Sequence, residues 1–186
     1  MATPGYHISL LLEITIVVVF LGLLFLLKRR RAGNRHARYY RKAQALHGRF
    51  QSGEMTGGRA LMYLRKLNPY VFEELVLEAL KDNGFRVCRN KRYSGDGGID
   101  GRVFKNGEEY YVQCKRYASH IDMQHVRDFV ELCRKDGKSG LFVHTGKTGR
   151  GAWNVLSDGP STVEIISGGK LLNLLAKNTK QSSLSA

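Results

Sequence analysis

The sequence predicts an α/β protein with a mixed central sheet flanked by helices and preceded by one N-terminal transmembrane helix. Three observations carry that expectation. Residues 8 to 27 form a 20-residue apolar run. From residue 68 onward, segments of helical period alternate with short β-branched and aromatic runs, the pattern of helices covering a sheet. Between two of those runs stands Asn106-Gly107, a pair suited to a tight hairpin turn.

The apolar run reads "ISLLLEITIVVVFLGLLFLL", with Glu13 as its single charge. At ~1.5 Å per residue, a helix of this length covers about 30 Å, the hydrocarbon thickness of a bilayer. A cleaved signal peptide is the rival reading, but the basic residues follow the apolar core instead of preceding it, and no small-residue cleavage pattern comes after. Lys28, Arg29, Arg30 and Arg31 follow at once. The positive-inside rule then expects a single-pass protein with its N-terminus outside and the remainder in the cytoplasm, and the expected location is the bacterial inner membrane. Glu13 lies off the bilayer centre, where interfacial placement and contact with another span both fit it.

The chain has 186 residues, a formal net charge of +14 and a pI near 9.9, which calls for an anionic partner. Nine of the 30 Lys and Arg residues fall between positions 28 and 49, with no Asp or Glu among them. Residues 28 to 60 read as a basic juxtamembrane linker without a sustained apolar period, punctuated by Gly53, Gly57 and Gly58. Anionic lipids attract such a segment by about 1 kcal/mol per basic residue, and auxiliary DNA binding is the alternative. Cys88, Cys114 and Cys133 are odd in number and lack CxxC spacing, which argues against a disulfide framework and a zinc site.

The elements follow in order. Asn68 caps a helix with Pro69 at its first position, and Phe72, Leu75, Val76, Ala79 and Leu80 recur on one face until Gly84. A strand over 85 to 88 leads to the turn "SGDGGID" and then to a hairpin, "DGRVF" and "EEYYVQCKR". A helix with Val126, Phe129, Val130 and Cys133 on one face closes at Gly137. The strand "SGLFVHT", a short helix over 152 to 156, the strand "VEIIS" and the helix "GKLLNLLAK" complete a folded region at 68 to 176, with a flexible tail at 177 to 186.

One strand carries the chemistry. Side chains alternate along a strand, so Gln113 and Lys115 share a face while Val112 and Cys114 turn away. Asp100 ends the glycine turn, and folding the hairpin brings it beside that pair. Carboxylate, amide oxygen and ammonium together suit phosphodiester hydrolysis with an oxygen-ligated cation such as Mg²⁺. Lys115 would orient or deprotonate the nucleophile, or stabilise the oxyanion. A second carboxylate would come from the first helix as Glu73, with Glu74 and Glu78 nearby. Asp96 fits turn-shaping better than metal binding.

The helix "FEELVLEALKDNGFRV", the turn "GDGGID", the strand "YYVQCKRY" and the tail "GLFVHTGKTGRGAWNV" with "VEIISGGKLLNLL" resemble, in that order, the Mrr-like restriction endonuclease domain of the PD-(D/E)xK nuclease superfamily. The resemblance implies a restriction-endonuclease-like fold and a DNA endonuclease, restriction-type or DNA-processing. It implies dependence on Mg²⁺, with Mn²⁺ as a substitute, and cleavage leaving a 5′-phosphate and a 3′-hydroxyl. It assigns Asp100, Gln113, Lys115 and Glu73 to catalysis, and Asp100, Gln113, Glu73 and the backbone carbonyl of Cys114 to the metal. Gln stands at 113 where the wider superfamily more often has Glu or Asp, and it is the usual variant of the Mrr-like branch.

Arg89, Lys91, Arg92, Arg102 and Arg116 are candidate contacts to DNA phosphates, with Gly95, Gly97 and Gly98 allowing close backbone approach. Two copies of the chain would suit cutting of both strands. Two other readings compete: a catalytically inactive DNA-binding module of the same fold that tethers DNA or a partner at the membrane, and a membrane-surface scaffold working through its basic linker.

Overall fold

The computed structural model describes residues 5–90, 98–157 and 163–176. The chain divides into two compact units, residues 1–39 and 40–186. Helix α1 (Gly5–Gln51) carries the chain through the first unit and into the second. In the first unit the apolar side chains from Ile14 to Leu27 are exposed, Phe25 at 66%. The transmembrane helix expected over 8 to 27 is not shown. Among the described residues no helix is long and apolar enough to cross a membrane, and the side chains of residues 8 to 12 lie outside them.

In the second unit, α2 (Gly57–Lys66) and α3 (Pro69–Asp82) precede β1 (Arg86–Arg89), β2 (Gly101–Lys105) and β3 (Glu108–Lys115). Then come α4 (Met123–Asp136), β4 (Ser139–His144), α5 (Arg150–Ser157), β5 (Val163–Ser167) and α6 (Gly168–Leu175). The five strands lie in sequence order, β1 to β3 antiparallel and β3 to β5 parallel. A hairpin needs only a short turn, whereas each parallel pair requires a crossover, supplied by α4 and α5.

Local rules explain most boundaries. Asn68 Oδ1 accepts the N–H groups of Tyr70 and Val71 at the start of α3, and Pro69 occupies a position whose N–H would have no helical partner. Asn106 and Gly107 have φ of 52° and 83°, the pair of left-handed residues that a two-residue hairpin turn demands. The side chain of Asp122 caps α4, and Gly137 ends it in the left-handed conformation.

The sheet is covered on both faces. Tyr111 on β3, Phe142 on β4 and Ile165 on β5 meet Val126, Phe129 and Cys133 of α4. On the other face, α3 packs with α6 and brings Leu77 against Gly101. Full burial of side chains such as Phe72, Leu75 and Leu80 contributes about 1.5–3 kcal/mol each.

Residues 28 to 60 differ from expectation. They show no open linker over 40 to 51, where α1 continues and buries Ala43, Leu46, His47 and Phe50. Those residues follow the i, i+3, i+4, i+7 period of a helix face, overshadowed in the sequence by the surrounding arginines. Helix α2 is also unanticipated. It begins at Gly57 and Gly58, poor helix formers, and only Ala60 and Leu64 are buried. The tail at 177 to 186 lies outside the described residues.

Candidate active site

Asp100 stands where the glycine turn enters β2. Its N–H donates to the carbonyl of Val112 at 2.8 Å, and its Oδ2 accepts the N–H of Cys114 at 2.7 Å. The aspartate therefore lies along β3, beside the residues that follow Val112.

Gln113 is buried, and its Nε2 donates to the carbonyl of Gly98 at 2.8 Å. That bond directs Oε1 away from Gly98 and leaves it without any partner. It is the one buried side-chain oxygen or nitrogen among the described residues in that condition. Buried polar atoms are nearly always satisfied, so an orphaned oxygen marks a place where a ligand belongs. Gly98 permits this arrangement. Its φ is +91°, and a Cβ there would sit 2.7 Å from Gln113 Nε2.

Lys115 projects two residues on from Gln113 and is half-buried, with no side-chain hydrogen bond or ion pair among the described residues. Glu73 enters from α3, also half-buried and also without such a partner among them. Burial pushes the Glu73 carboxyl up to about 8, the negative charges of Asp100 and Glu74 add to the rise, and Lys115 and Arg116 oppose it. Burial likewise raises Asp100 to about 6, against the hydrogen bond from Cys114 and the attraction of Lys115. Asp100, Glu73 and Lys115 all act on the Cys114 thiol, so the four residues lie within electrostatic reach of one another.

The donor set is two carboxylates and an amide oxygen. Among the described residues no group of three or more His, Cys, Asp and Glu side chains gathers to hold a metal, and this site brings two carboxylates within electrostatic reach. Hard oxygen donors of this kind fit Mg²⁺ or Mn²⁺ better than zinc. Two crowded carboxylates with raised pKa values are relieved by a cation, and the orphaned Gln113 Oε1 faces no competing donor. The residues present therefore fit a divalent ion. The buried Cys114 and Cys133 thiols are raised by burial, Cys133 to about 11, and neither suits a nucleophile.

The five cations expected at DNA fare differently. Arg89 is committed internally. Its Nε donates to Glu74 Oε2 at 2.9 Å, its Nη2 donates to Glu78 Oε1, and its guanidinium lies 4.8 Å from the Tyr40 ring centroid. Arg102 is exposed and stands over Tyr111. Arg116 is half-buried beside the site and donates from Nη1 to the carbonyl of Arg65 at 3.2 Å. Lys91 and Arg92, together with Gly95, Asp96 and Gly97, lie outside the described residues.

Sequence reasoning missed Arg65. This residue lies in the last turn of the short helix α2, and nothing in its neighbourhood of the sequence points to β3 or β4. It nevertheless reaches the carbonyl of Thr145 at 3.0 Å.

The sequence profile of the Mrr catalytic family, a restriction endonuclease family, matches residues 64–175, more than half of the chain. No curated protein matches the chain. Among solved structures, the chain is similar to the MspJI restriction endonuclease in complex with a 27-mer oligonucleotide, with 24% identity and a TM-score of 0.49, covering 67% of this chain and 33% of that one. It is similar to the DNA modification-dependent restriction endonuclease AspBHI, at 18% identity and a TM-score of 0.44, over 67% of this chain and 37% of that one. SfsA of Pyrococcus furiosus in complex with Ca²⁺ shows 18% identity and a TM-score of 0.35, over 57% of this chain and 56% of that one. The chain thus spans about a third of the length of MspJI and AspBHI. With a mixed five-stranded sheet between helices and the profile match over that same region, the chain belongs to the Mrr-type restriction endonuclease family.

Proposed function

We propose that the chain is a divalent-cation-dependent DNA endonuclease whose site is built from Asp100, Gln113, Lys115 and Glu73. The observation that carries this reading is Gln113 Oε1, a buried oxygen with no partner among the described residues, on the residue next to Cys114, whose N–H holds the Asp100 carboxyl of raised pKa. Asp100, Gln113 and Glu73 would hold Mg²⁺ or Mn²⁺, with the backbone carbonyl of Cys114 as a further ligand. When bound, the ion acidifies a water ligand and neutralises charge that grows on the phosphate.

The chain's own residues supply the remainder. The Cys114 N–H fixes one oxygen of Asp100 and so sets the direction of the other. The Gly98 carbonyl does the same for the Gln113 amide. Lys115 is bound to no carboxylate among the described residues, so its side chain is available to orient the attacking water, to take its proton as the neutral amine, or to stabilise the oxyanion as the ammonium.

The same proposal places the enzyme at the bacterial inner membrane, anchored through residues 8 to 27, with the nuclease domain in the cytoplasm and the basic residues 28 to 49 against anionic lipid. The exposed apolar side chains from Ile14 to Leu27 and the cations that follow support this part. Two copies acting together suit cleavage of both strands.

The test uses the full chain in detergent, with plasmid and short duplexes, methylated and unmethylated, with and without Mg²⁺. Cleavage should require the ion and be lost in Asp100→Ala and in Lys115→Ala. Cutting that persists in both variants would sink the proposal. Fractionation of cells expressing the chain should leave it in the membrane pellet after high-salt washing, and release into the wash would remove the anchor.

A further inference from the structure

The ends of β3 and β4 and the last turn of α2 are closed into a ring of hydrogen bonds that the proposed catalytic chemistry does not use. The Arg65 side chain donates from Nε to Thr145 O at 3.0 Å, and the Thr145 N–H donates to Lys115 O at 3.3 Å. Arg116, next in sequence, donates from Nη1 back to Arg65 O at 3.2 Å. Thr145 is held in turn by Tyr117, whose N–H donates to Thr145 Oγ1 at 3.0 Å while that hydroxyl donates to Tyr117 O at 3.1 Å.

What distinguishes the ring is the chemistry of its anchors. Both guanidiniums are fixed through neutral carbonyls, and neither has a carboxylate within ion-pair distance among the described residues. Each guanidinium has five N–H donors and uses one, so each keeps its full charge and a free edge. Arg89 shows the alternative, with its charge taken up by Glu74 and Glu78. Two half-buried guanidiniums anchored through carbonyls keep N–H donors of the kind that phosphate oxygens accept. The ring also lies at the C-terminal ends of the parallel strands, where open α/β sheets bind their ligands. Its Arg116 is close enough to Glu73 to oppose the rise in that residue's pKa.

We propose that Arg65 and Arg116 form a phosphate clamp that seats a backbone phosphate of the DNA strand next to the one being hydrolysed. The clamp rests on the nuclease reading for its substrate and adds α2 to the binding machinery. The ring ties the clamp to Lys115, so a seated phosphate sets the register of the strand relative to the site. Both are binding residues, and neither is assigned a part in bond breaking.

The experiment measures binding of the full chain to a short fluorescent duplex by anisotropy across a salt series without divalent metal, and cleavage kinetics with Mg²⁺. Arg65→Ala and Arg116→Ala should each raise Kd and KM about tenfold, with the loss falling mainly on KM. The double variant should lower the slope of log K against log salt by about 0.9, the signature of one lost phosphate contact, and each single variant by a part of that. Arg65→Lys and Arg116→Lys, which keep charge and bulk, should restore most of the slope. A merely structural ring would instead lower thermal stability and leave the slope of the folded fraction unmoved.

If the wild type cuts DNA and the slopes of the alanine variants equal its own, the clamp is wrong while the nuclease reading stands. If the slopes fall as expected and nothing cuts, the clamp stands and the nuclease reading falls. A wild-type chain that does not bind DNA overturns both.

Discussion

Three glutamates on helix α3 meet two different fates within five residues of one another. Glu74 and Glu78 are 2% and 7% exposed, and both close on the guanidinium of Arg89. Glu73, one residue away, has no such partner among the described residues, and burial beside Asp100 raises its pKa to about 8. The first arrangement is a buried ion pair that joins α3 to β1. The second is an unmet electrostatic demand at the mouth of the sheet. A carboxylate pair held together without a cation is a poor structural device and a good metal site, whereas a carboxylate pair already bridged by arginine is the reverse. The contrast separates the proposed site from architecture on a single helix.

The largest expected effect comes from removing the unpaired side of this contrast. Asp100→Asn should lower the rate of DNA cleavage by about 10³-fold or more while leaving the unfolding midpoint near that of the wild type, because the lost charge was already disfavoured by burial. Glu74→Gln should do the opposite, losing stability with a much smaller change in rate. Paired measurements of cleavage and urea unfolding decide it, and equal stability losses in the two variants would erase the distinction.

Next is the removal of the guanidinium that the two buried acids share. Arg89→Ala takes that ion pair from Glu74 and Glu78 and should destabilise the domain toward the lower end of about 3–5 kcal/mol, since Arg89 itself is 25% exposed. Chemical denaturation at neutral pH measures this.

The pH dependence of the metal-free protein sharpens the contrast further. Glu73 and Asp100 both have folded-state pKa values above their ordinary ones, about 8 and about 6. Their neutral forms are favoured by folding, so the stability they contribute is full below about pH 4 and is lost as pH rises through 6 and then 8. Thermal unfolding without metal should show that decline. Glu73→Gln should flatten its upper part, and Mg²⁺ should raise Tm more at pH 8 than at pH 5.5. A metal-free stability that climbs between pH 5 and 8 would contradict the raised values.

The smallest effect concerns the backbone that aims Gln113. Gly98→Ala places a methyl group against Gln113 Nε2 and strains a residue at φ +91°, with an expected cost of about 1 kcal/mol or somewhat more. Its diagnostic consequence is weaker Mg²⁺ affinity in the cleavage assay at a nearly constant maximal rate. Unaltered metal dependence would mean that the Gly98 carbonyl does not orient the amide.

Much of the fold is legible because its signals are local. The cap at Asn68, the Asn106-Gly107 turn and the stop at Gly137 each depend on a few consecutive residues. The alternation along β3 likewise places Gln113 with Lys115 and apart from Val112 and Cys114. The helical extension over 40 to 51 was harder to see, because a four-residue apolar stripe is embedded among arginines, and α2 harder still, because two glycines begin it.

The sequence by itself determined the order of elements from α3 onward, the hairpin that carries Asp100 back to β3, and the residue types available for chemistry. Only the tertiary structure decided which cation meets which acid. That choice set Arg89 against Glu74 and Glu78, left Glu73 and Asp100 without an ion pair among the described residues, orphaned Gln113 Oε1, and brought Arg65 across 80 positions to Thr145. The physical reason is range. Caps, turns and alternation act over one or two turns of chain, whereas desolvation and charge pairing depend on contacts that exist only after distant segments have packed.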